Sequence, residues 1–257
     1  MIKPKVLVLH ANGTNRDAEV AYAFTLAGAD PEIVHLQQLR LNEKSWHDYQ
    51  ILVIPGGFSY GDTLGAGKLL ALDLQVYFAD AVKKFIEQKK PVLGICNGFQ
   101  VLVKAGLLPT PFQNNTQATL TFNAQGHFEC RWVTLVAQSQ KCLWTKGLVD
   151  PIDCPVAHGE GQFVLNNNEL LSQLITQDQI ALCYAKPDGQ KADQIYPYNP
   201  NGSIGGIAGI CNESGTVMGL MPHPEDHVVD YQFPRWTRGQ KGRSGLFLFK
   251  NGVNYVK

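Results

Sequence analysis

Three residue types that together make a covalent acyl-transfer site occur in this chain: a cysteine at 96, a histidine at 223 and a glutamate at 225. Cys96 lies in the stretch Pro91-Val92-Leu93-Gly94-Ile95-Cys96-Asn97-Gly98-Phe99-Gln100. A short apolar run precedes it, and a helical pattern from Phe99 to Ala105, closed by Gly106, follows. The stretch reads as strand, sharp turn and helix, with the cysteine at the turn. Gly94 and Gly98 flank it two residues away on either side, which is nucleophile-elbow spacing with sulfur in place of oxygen. Small residues are required there, because so tight a turn brings neighbouring backbone close to the nucleophile. A thiol at a helix N-terminus meets partial positive charge, which favours the reactive thiolate. His223 precedes a proline and is biased towards extended backbone, where His223 and Glu225 would project to the same side. A carboxylate beside an imidazole fixes its tautomer and stabilises the imidazolium. A thiol on the other side completes a nucleophile, a base and an orienting acid.

Each feature alone has a plainer explanation. A free cysteine is most often a small core residue, and His-Pro-Glu is most often a turn. Two independent features that fit one mechanism weigh more than either. A third is the pair Gly56-Gly57 at the end of the apolar run Ile51 to Pro55. Ligands of open parallel sheets bind outside the carboxyl ends of the strands, and glycines there let backbone N–H groups approach closely. The N–H groups of Gly57 and Asn97 are expected to converge on the oxygen of an acyl group attacked by Cys96. In Pro155-Val156-Ala157-His158-Gly159-Glu160-Gly161, His158 and Glu160 stand two apart between glycines. An extended segment would point both to one side. A solvated loop or hairpin edge is the plain alternative.

The elements that must position these residues alternate strand and helix in the first half of the chain. Lys5 to His10 reads as a buried strand, Ala18 to Ala27 as a helix capped by Asn15 or Asp17, and Glu32 to Leu36 and Ile51 to Pro55 as further strands. Leu69 to Lys89 is mostly helical, and the elbow follows. This is the βαβ signature of a parallel sheet with helices on both faces. After Pro109, Ala118 to Phe122 and His127 to Ala137 run as strands without helices between them, so antiparallel strands are added to the sheet. Asn166-Asn167-Asn168 caps a short helix ending near Ile175. Gln194 to Gly206 reads as a loop, with Gly202 to Gly206 mobile. Ile207 to Cys211 and Thr216 to Met221 form a hairpin that delivers His223. Phe233 to Arg243 is an aromatic and basic surface stretch, and Leu246 to Val256 closes the chain as a strand or helix. The expected fold class is α/β: an open, mostly parallel sheet with helices on both faces and added antiparallel strands, as one domain over residues 1–257.

The composition bounds the function. With 257 residues and 44% hydrophobic content the chain has material for a full-sized core. The formal net charge is zero, which argues against nucleic acid as the main partner. No apolar run approaches a membrane span, and the first residues lead straight into a strand pattern rather than a signal peptide. The six cysteines, at 96, 130, 142, 154, 183 and 211, include no Cys-x-x-Cys and no Cys/His pairing of zinc spacing. Reduced thiols in a cytoplasmic protein without a metal are the expectation.

Four motifs then carry a resemblance. Gly56-Gly57-Phe58-Ser59-Tyr60-Gly61-Asp62, Cys96-Asn97-Gly98-Phe99-Gln100, Pro155-Val156-Ala157-His158-Gly159-Glu160-Gly161 and Met221-Pro222-His223-Pro224-Glu225 resemble, in order, the motifs of the class I glutamine amidotransferases. The likeness covers nearly the whole chain and is nearest to the branch serving purine biosynthesis. It implies Cys96 as nucleophile, His223 as base, Glu225 as orienting acid, and Gly57 and Asn97 as oxyanion donors. Gln100 would help hold the glutamine substrate, and His158 with Glu160 would line the site or a partner contact. No cofactor is implied in this chain. The implied partner is a large ATP-dependent synthetase subunit carrying ATP and magnesium, with a small accessory subunit. At Gly65-Ala66-Gly67-Lys68 the chain departs from the family, which often carries an arginine there. The remaining alternatives are another cysteine hydrolase or amidotransferase on the same fold, and a non-catalytic docking subunit.

Overall fold

The computed structural model describes residues 3–112 and 117–257. In chain order the elements are β1 (Lys5–His10), α1 (Asp17–Leu26), β2 (Asp30–His35), α2 (Leu36–Arg40), β3 (Ile51–Ile54), α3 (Lys68–Tyr77), α4 (Ala79–Glu87), β4 (Val92–Ile95) and α5 (Asn97–Lys104). The second half adds β5 (Ala118–Thr121), β6 (Glu129–Ala137), β7 (Ile152–His158), β8 (Gln162–Leu165), α6 (Asn168–Thr176), β9 (Ile180–Ala185), β10 (Ile207–Cys211), β11 (Val217–Leu220) and α7 (Leu246–Tyr255).

One nine-stranded sheet runs β2-β1-β3-β4-β11-β10-β9-β6-β7. Its first five strands pair in parallel and the remaining pairs are antiparallel. Helices cover both sides. The central strands are apolar without alternation because both faces are covered: all four residues of β3 and of β4 are buried. The faces close on side chains such as Phe24 of α1, which meets Phe249 of α7 edge-on at 5.2 Å. On the α5 side, a Cβ on Gly219 would lie 2.1 Å from the Phe99 ring, so that glycine lets the elbow helix settle on β11.

Several expectations are corrected. The helical stretch before the elbow is two helices, α3 and α4, because Phe78 leaves helical geometry (φ −128°) and tucks its ring 5.5 Å from that of Trp46. The α1 helix starts at Arg16 without a side-chain cap, and Asp17 instead turns to His10 Nδ1 at 2.7 Å. The short helix α2 was not expected; His35 starts it by accepting from the Gln37 N–H. Strand β6 joins the main sheet as the pattern predicts, and β7 and β9, which the pattern does not assign to it, extend it on either side of β6; β5 instead pairs with β8 in a separate two-stranded sheet.

The segment expected to be mobile is instead tied into the interior. Asn201 and Ser203 are fully buried, Asn201 Nδ2 donates to Tyr184 Oη at 2.9 Å, and Ser203 Oγ donates to Asn201 Oδ1 at 2.7 Å. Buried loop backbone needs such partners, and short polar side chains supply them. The hairpin β10–β11 and the Asn167-capped α6 form as expected. Residues 246–255 are helix rather than strand. Within the aromatic and basic stretch, residues 234–241 are exposed, while Phe233 packs edge-on against Trp132 at 5.3 Å. Arg243 grips the Asp153 carboxylate through two bonds of 2.6 and 2.8 Å. Among the described residues, no helix is long and apolar enough to cross a membrane.

Candidate active site

Strand β4 and helix α5 meet at Cys96 with no residue to spare. The backbone there is forced to φ 50°, ψ −105°, a left-handed conformation that is strained for a residue with a Cβ and costs roughly 1–3 kcal/mol. Surrounding packing holds it. The Cys96 N–H donates to Leu220 O at 2.8 Å, and the Gln100 N–H donates to Cys96 O at 3.1 Å. A Cβ on Gly98 would fall 1.8 Å from the Ile54 carbonyl oxygen, and one on Gly94 would fall 2.6 Å from Gly98 O. Both elbow glycines are therefore demanded by the close approach of β3, β4 and α5. Cys96 is left only 5% exposed, its Sγ 3.9 Å from Ala157 O.

The base arrives from the neighbouring strand. β11 lies parallel to β4 with Leu220 opposite Ile95, so the residues that follow the two strands emerge side by side. His223 N–H is fixed to Pro155 O at 2.8 Å, and Pro224–Asp226 then turns as a single 3-10 turn. The expected extended geometry does not continue through Glu225. The turn nevertheless brings Glu225 Oε1 to His223 Nδ1 at 2.7 Å, with both side chains buried. The Cys96 thiol stands beside the same imidazole, close enough to act on its charge. Burial opposes a charge on His223, but Glu225 and then Cys96 outweigh it, and the imidazole is held well above its ordinary range.

A cavity of about 210 Å³ opens over the thiol, and Gly57, Asp62, Gln100, His158 and Glu160 share its lining with Cys96. Gly57 has φ 139°, a conformation that suits glycine, and its bridge to Thr14 uses the Asn15 and Phe58 N–H groups, leaving the Gly57 N–H out. Asn97 is the first residue of α5, where N–H groups have no partner within the helix. Its side chain locks the cavity wall: Oδ1 accepts from Ser59 Oγ at 2.6 Å, and Nδ2 donates to Asp62 Oδ1 at 3.0 Å and Gln100 Oε1 at 3.2 Å. Gln100 Nε2 donates in turn to Glu160 O at 2.6 Å. Glu160 Oε2 accepts from the Ala66 N–H at 3.3 Å and lies 3.8 Å from Lys104 Nζ. The arrangement combines a strained thiol and a buried imidazole–carboxylate pair with backbone N–H groups at Gly57 and Asn97 that the local bridge and helix do not use, a set suited to attack on an acyl carbon. A larger cleft of about 640 Å³ between α3, α5 and β5 shares Glu160 but lacks the thiol.

Residues 3–256 match the family of CobB/CobQ-like glutamine amidotransferase domains. The chain belongs to that glutamine amidotransferase family. It is 53% identical to the phosphoribosylformylglycinamidine synthase subunit PurQ of Treponema denticola, over 99% of this chain and 100% of that one. It is 42% identical to the same-named subunit of Dehalococcoides mccartyi, over 100% of this chain and 99% of that one. Among solved structures it resembles a chain of the PurLQS structure from Thermotoga maritima, with TM-score 0.76, 32% identity and full coverage of both chains.

Of the residues singled out in the sequence, Gly57, Cys96, Gln100, His158 and Glu160 line one cavity, Asn97 braces its wall through Asp62 and Gln100, and the His223–Glu225 pair stands beside the thiol, though not always for the expected reason. His158 and Glu160 do not share a side through extended backbone, because β7 ends at His158 and residues 159–160 bend. The His158 ring is enclosed, with Nδ1 3.1 Å from Asn123 Oδ1, and Nε2 has no hydrogen-bond partner among the described residues. Burial, then the nearby His223, push its pKa down to about 3, so it stays neutral where amidotransferases work. Gln100 has both ends of its amide taken by the chain itself, so it braces the wall. Sequence reasoning missed Asp62 and Asn123. Asp62 was visible at the end of the Gly-Gly motif, and here burial and then Glu160 raise its carboxyl pKa. Asn123 gave no sequence signal. It joins two strand ends by accepting from the Gly161 N–H at 2.9 Å and donating to His158 O at 2.8 Å.

Proposed function

We propose that this chain, as one amidotransferase domain, is the glutaminase subunit that supplies ammonia for phosphoribosylformylglycinamidine synthesis in the cytoplasm. The observation that carries the reading is the buried, hydrogen-bonded His223–Glu225 pair set beside Cys96 at a strained elbow beneath a small cavity. Full-length likeness to subunits named for that synthase supports the choice of pathway.

In this reading the Cys96 thiolate attacks the side-chain carboxamide carbon of glutamine. The carbonyl electrons move to oxygen, and the N–H groups of Gly57 and Asn97 receive the oxyanion; one such donor contributes about 3 kcal/mol to the transition state. His223, charged by the thiol proton, gives that proton to the departing nitrogen, and ammonia leaves a γ-glutamyl thioester on Cys96. The neutral imidazole then takes a proton from water, and the hydroxide so formed releases glutamate. Glu225 holds the imidazole by Nδ1 throughout. His223, Glu225 and Asp226 place their ligand-type atoms within 4.8 Å of one another, but His223 Nδ1 is already bonded to Glu225, so the cluster reads as part of the triad rather than a metal centre. The chain needs no cofactor for these steps. ATP and magnesium belong to a large synthetase subunit that takes the ammonia, with a small accessory subunit in the assembly. Phe58, exposed at the cavity rim, and Leu64 nearby are apolar side chains suited to that docking.

The test is product balance in the assembled complex. Glutamate should be released one for one with amidinated product when glutamine is the nitrogen donor. Product formed from glutamine without glutamate release would defeat the reading.

A further inference from the structure

Arg16 lies outside the triad, yet it touches both halves of the site. Its N–H donates to the Gly56 carbonyl at 3.3 Å, just beyond β3. Its side chain runs beside that glycine: a Cβ on Gly56 would sit 3.5 Å from Arg16 Cγ and 2.7 Å from His223 Cε1. The guanidinium then reaches Asp226 Oδ2 (from Nε, 3.7 Å) and Glu19 Oε1 (from Nη1, 3.4 Å). Three carboxylates, Glu19, Glu225 and Asp226, therefore crowd the corner behind His223. Two of their oxygens, Glu19 Oε2 and Glu225 Oε2, are buried with no hydrogen-bond partner among the described residues. Arg16 is a cation shared by two of the three carboxylates and is joined through Asp226 to the turn that holds the third.

We propose that Arg16 is a positioning residue for the thiol–imidazole pair, pairing with Asp226 behind Glu225 and tying the base turn to the strand end that carries Gly57. The inference rests on the glutaminase reading for its purpose but not for its test. Asp226 is poised to respond. Burial, then the adjoining Glu225, raise its carboxyl to about 6, while His223 and Arg16 pull it down and Glu19 pushes it up. From β7 it is faced by the Cys154 thiol, and the two titratable residues of α7, Lys250 and Tyr255, are both exposed. The direction follows from these neighbours. Without the guanidinium, Asp226 holds its proton to higher pH. A neutral Asp226 no longer favours imidazolium on His223, so the thiolate form of Cys96 loses support.

The experiment measures the alkylation rate of Cys96 by iodoacetamide against pH, resolved by peptide mapping from the exposed Cys130. It needs no glutamine. Arg16→Gln should move the acid limb of the profile to higher pH, by a fraction of the roughly 1–3 units an arginine exerts on an adjacent aspartate, because the thiol feels Asp226 through His223. Arg16→Lys should restore the limb part-way. In an Asp226→Asn background, Arg16→Gln should leave the limb where it is. A purely structural Arg16 would change the rate equally at every pH; that result, an unmoved limb, or a shift that persists without Asp226 would overturn the proposal. A wild-type Cys96 that labels no faster than Cys130 would instead overturn the triad reading itself.

Discussion

Cys96→Ala is expected to stop glutamine-dependent synthesis in the assembled complex by at least roughly ten-thousandfold, the scale on which removal of a covalent nucleophile acts. Synthesis from an added ammonium salt should stay within about twofold of wild type, which is under 0.5 kcal/mol. The substitution is clean. Alanine carries the same Cβ as cysteine, so the strained φ of 50° costs no more than before. The loss removes one small sulfur atom from a nearly enclosed position and leaves the His223–Glu225 bond of 2.7 Å in place. Only the attacking atom is gone. If ammonia-dependent synthesis fell as far as glutamine-dependent synthesis, the division of labour between this chain and its synthetase would be wrong.

Gly98→Ala is expected to cost more than about 3 kcal/mol of folding stability, enough to leave much of a marginally stable chain unfolded. A Cβ there would lie 1.8 Å from Ile54 O and 2.7 Å from Ile54 C. Those atoms are backbone of β3 in the middle of the core, so no flexible side chain can step aside. Relief requires α5 to lift from the sheet, which would also displace the elbow. Gly126→Ala is the natural control. Nothing lies within 4 Å of its Cβ position, and only its φ of 72° resists, at a cost of about 1–2 kcal/mol. Denaturant midpoints of the two variants measure the difference. A Gly98→Ala protein within about 1 kcal/mol of wild type would refute the packing account of the elbow.

The elbow was legible because its signals are local. An apolar run, two spaced glycines and a helical pattern sit within about a dozen residues, and steric demands act over that range. The β10–β11 hairpin was legible on the same grounds. The His223–Glu225 pairing was found by an extended-strand argument, whereas a 3-10 turn at Pro224 produces it. Proline there both biases His223 towards extended backbone and starts the turn. The partition of β5 from the main sheet, the burial of Asn201 and Ser203, and the parts played by Asn123 and Arg16 were not legible. Each depends on partners far away in the chain, such as Tyr184 for Asn201 and Asp226 for Arg16. Sequence spacing constrains neighbours along an element, and these contacts join different elements.

The central claim is that glutamine passes through a covalent thioester on Cys96, and rapid acid quench with labelled glutamine tests it most directly. Complex mixed with glutamine, stopped within one turnover and digested should carry the γ-glutamyl label on the peptide that holds Cys96. The label should be lost on treatment with hydroxylamine and absent from Cys96→Ala. Label on any other residue, or wild-type turnover with no labelled peptide when thioester hydrolysis is slowed, would contradict the account.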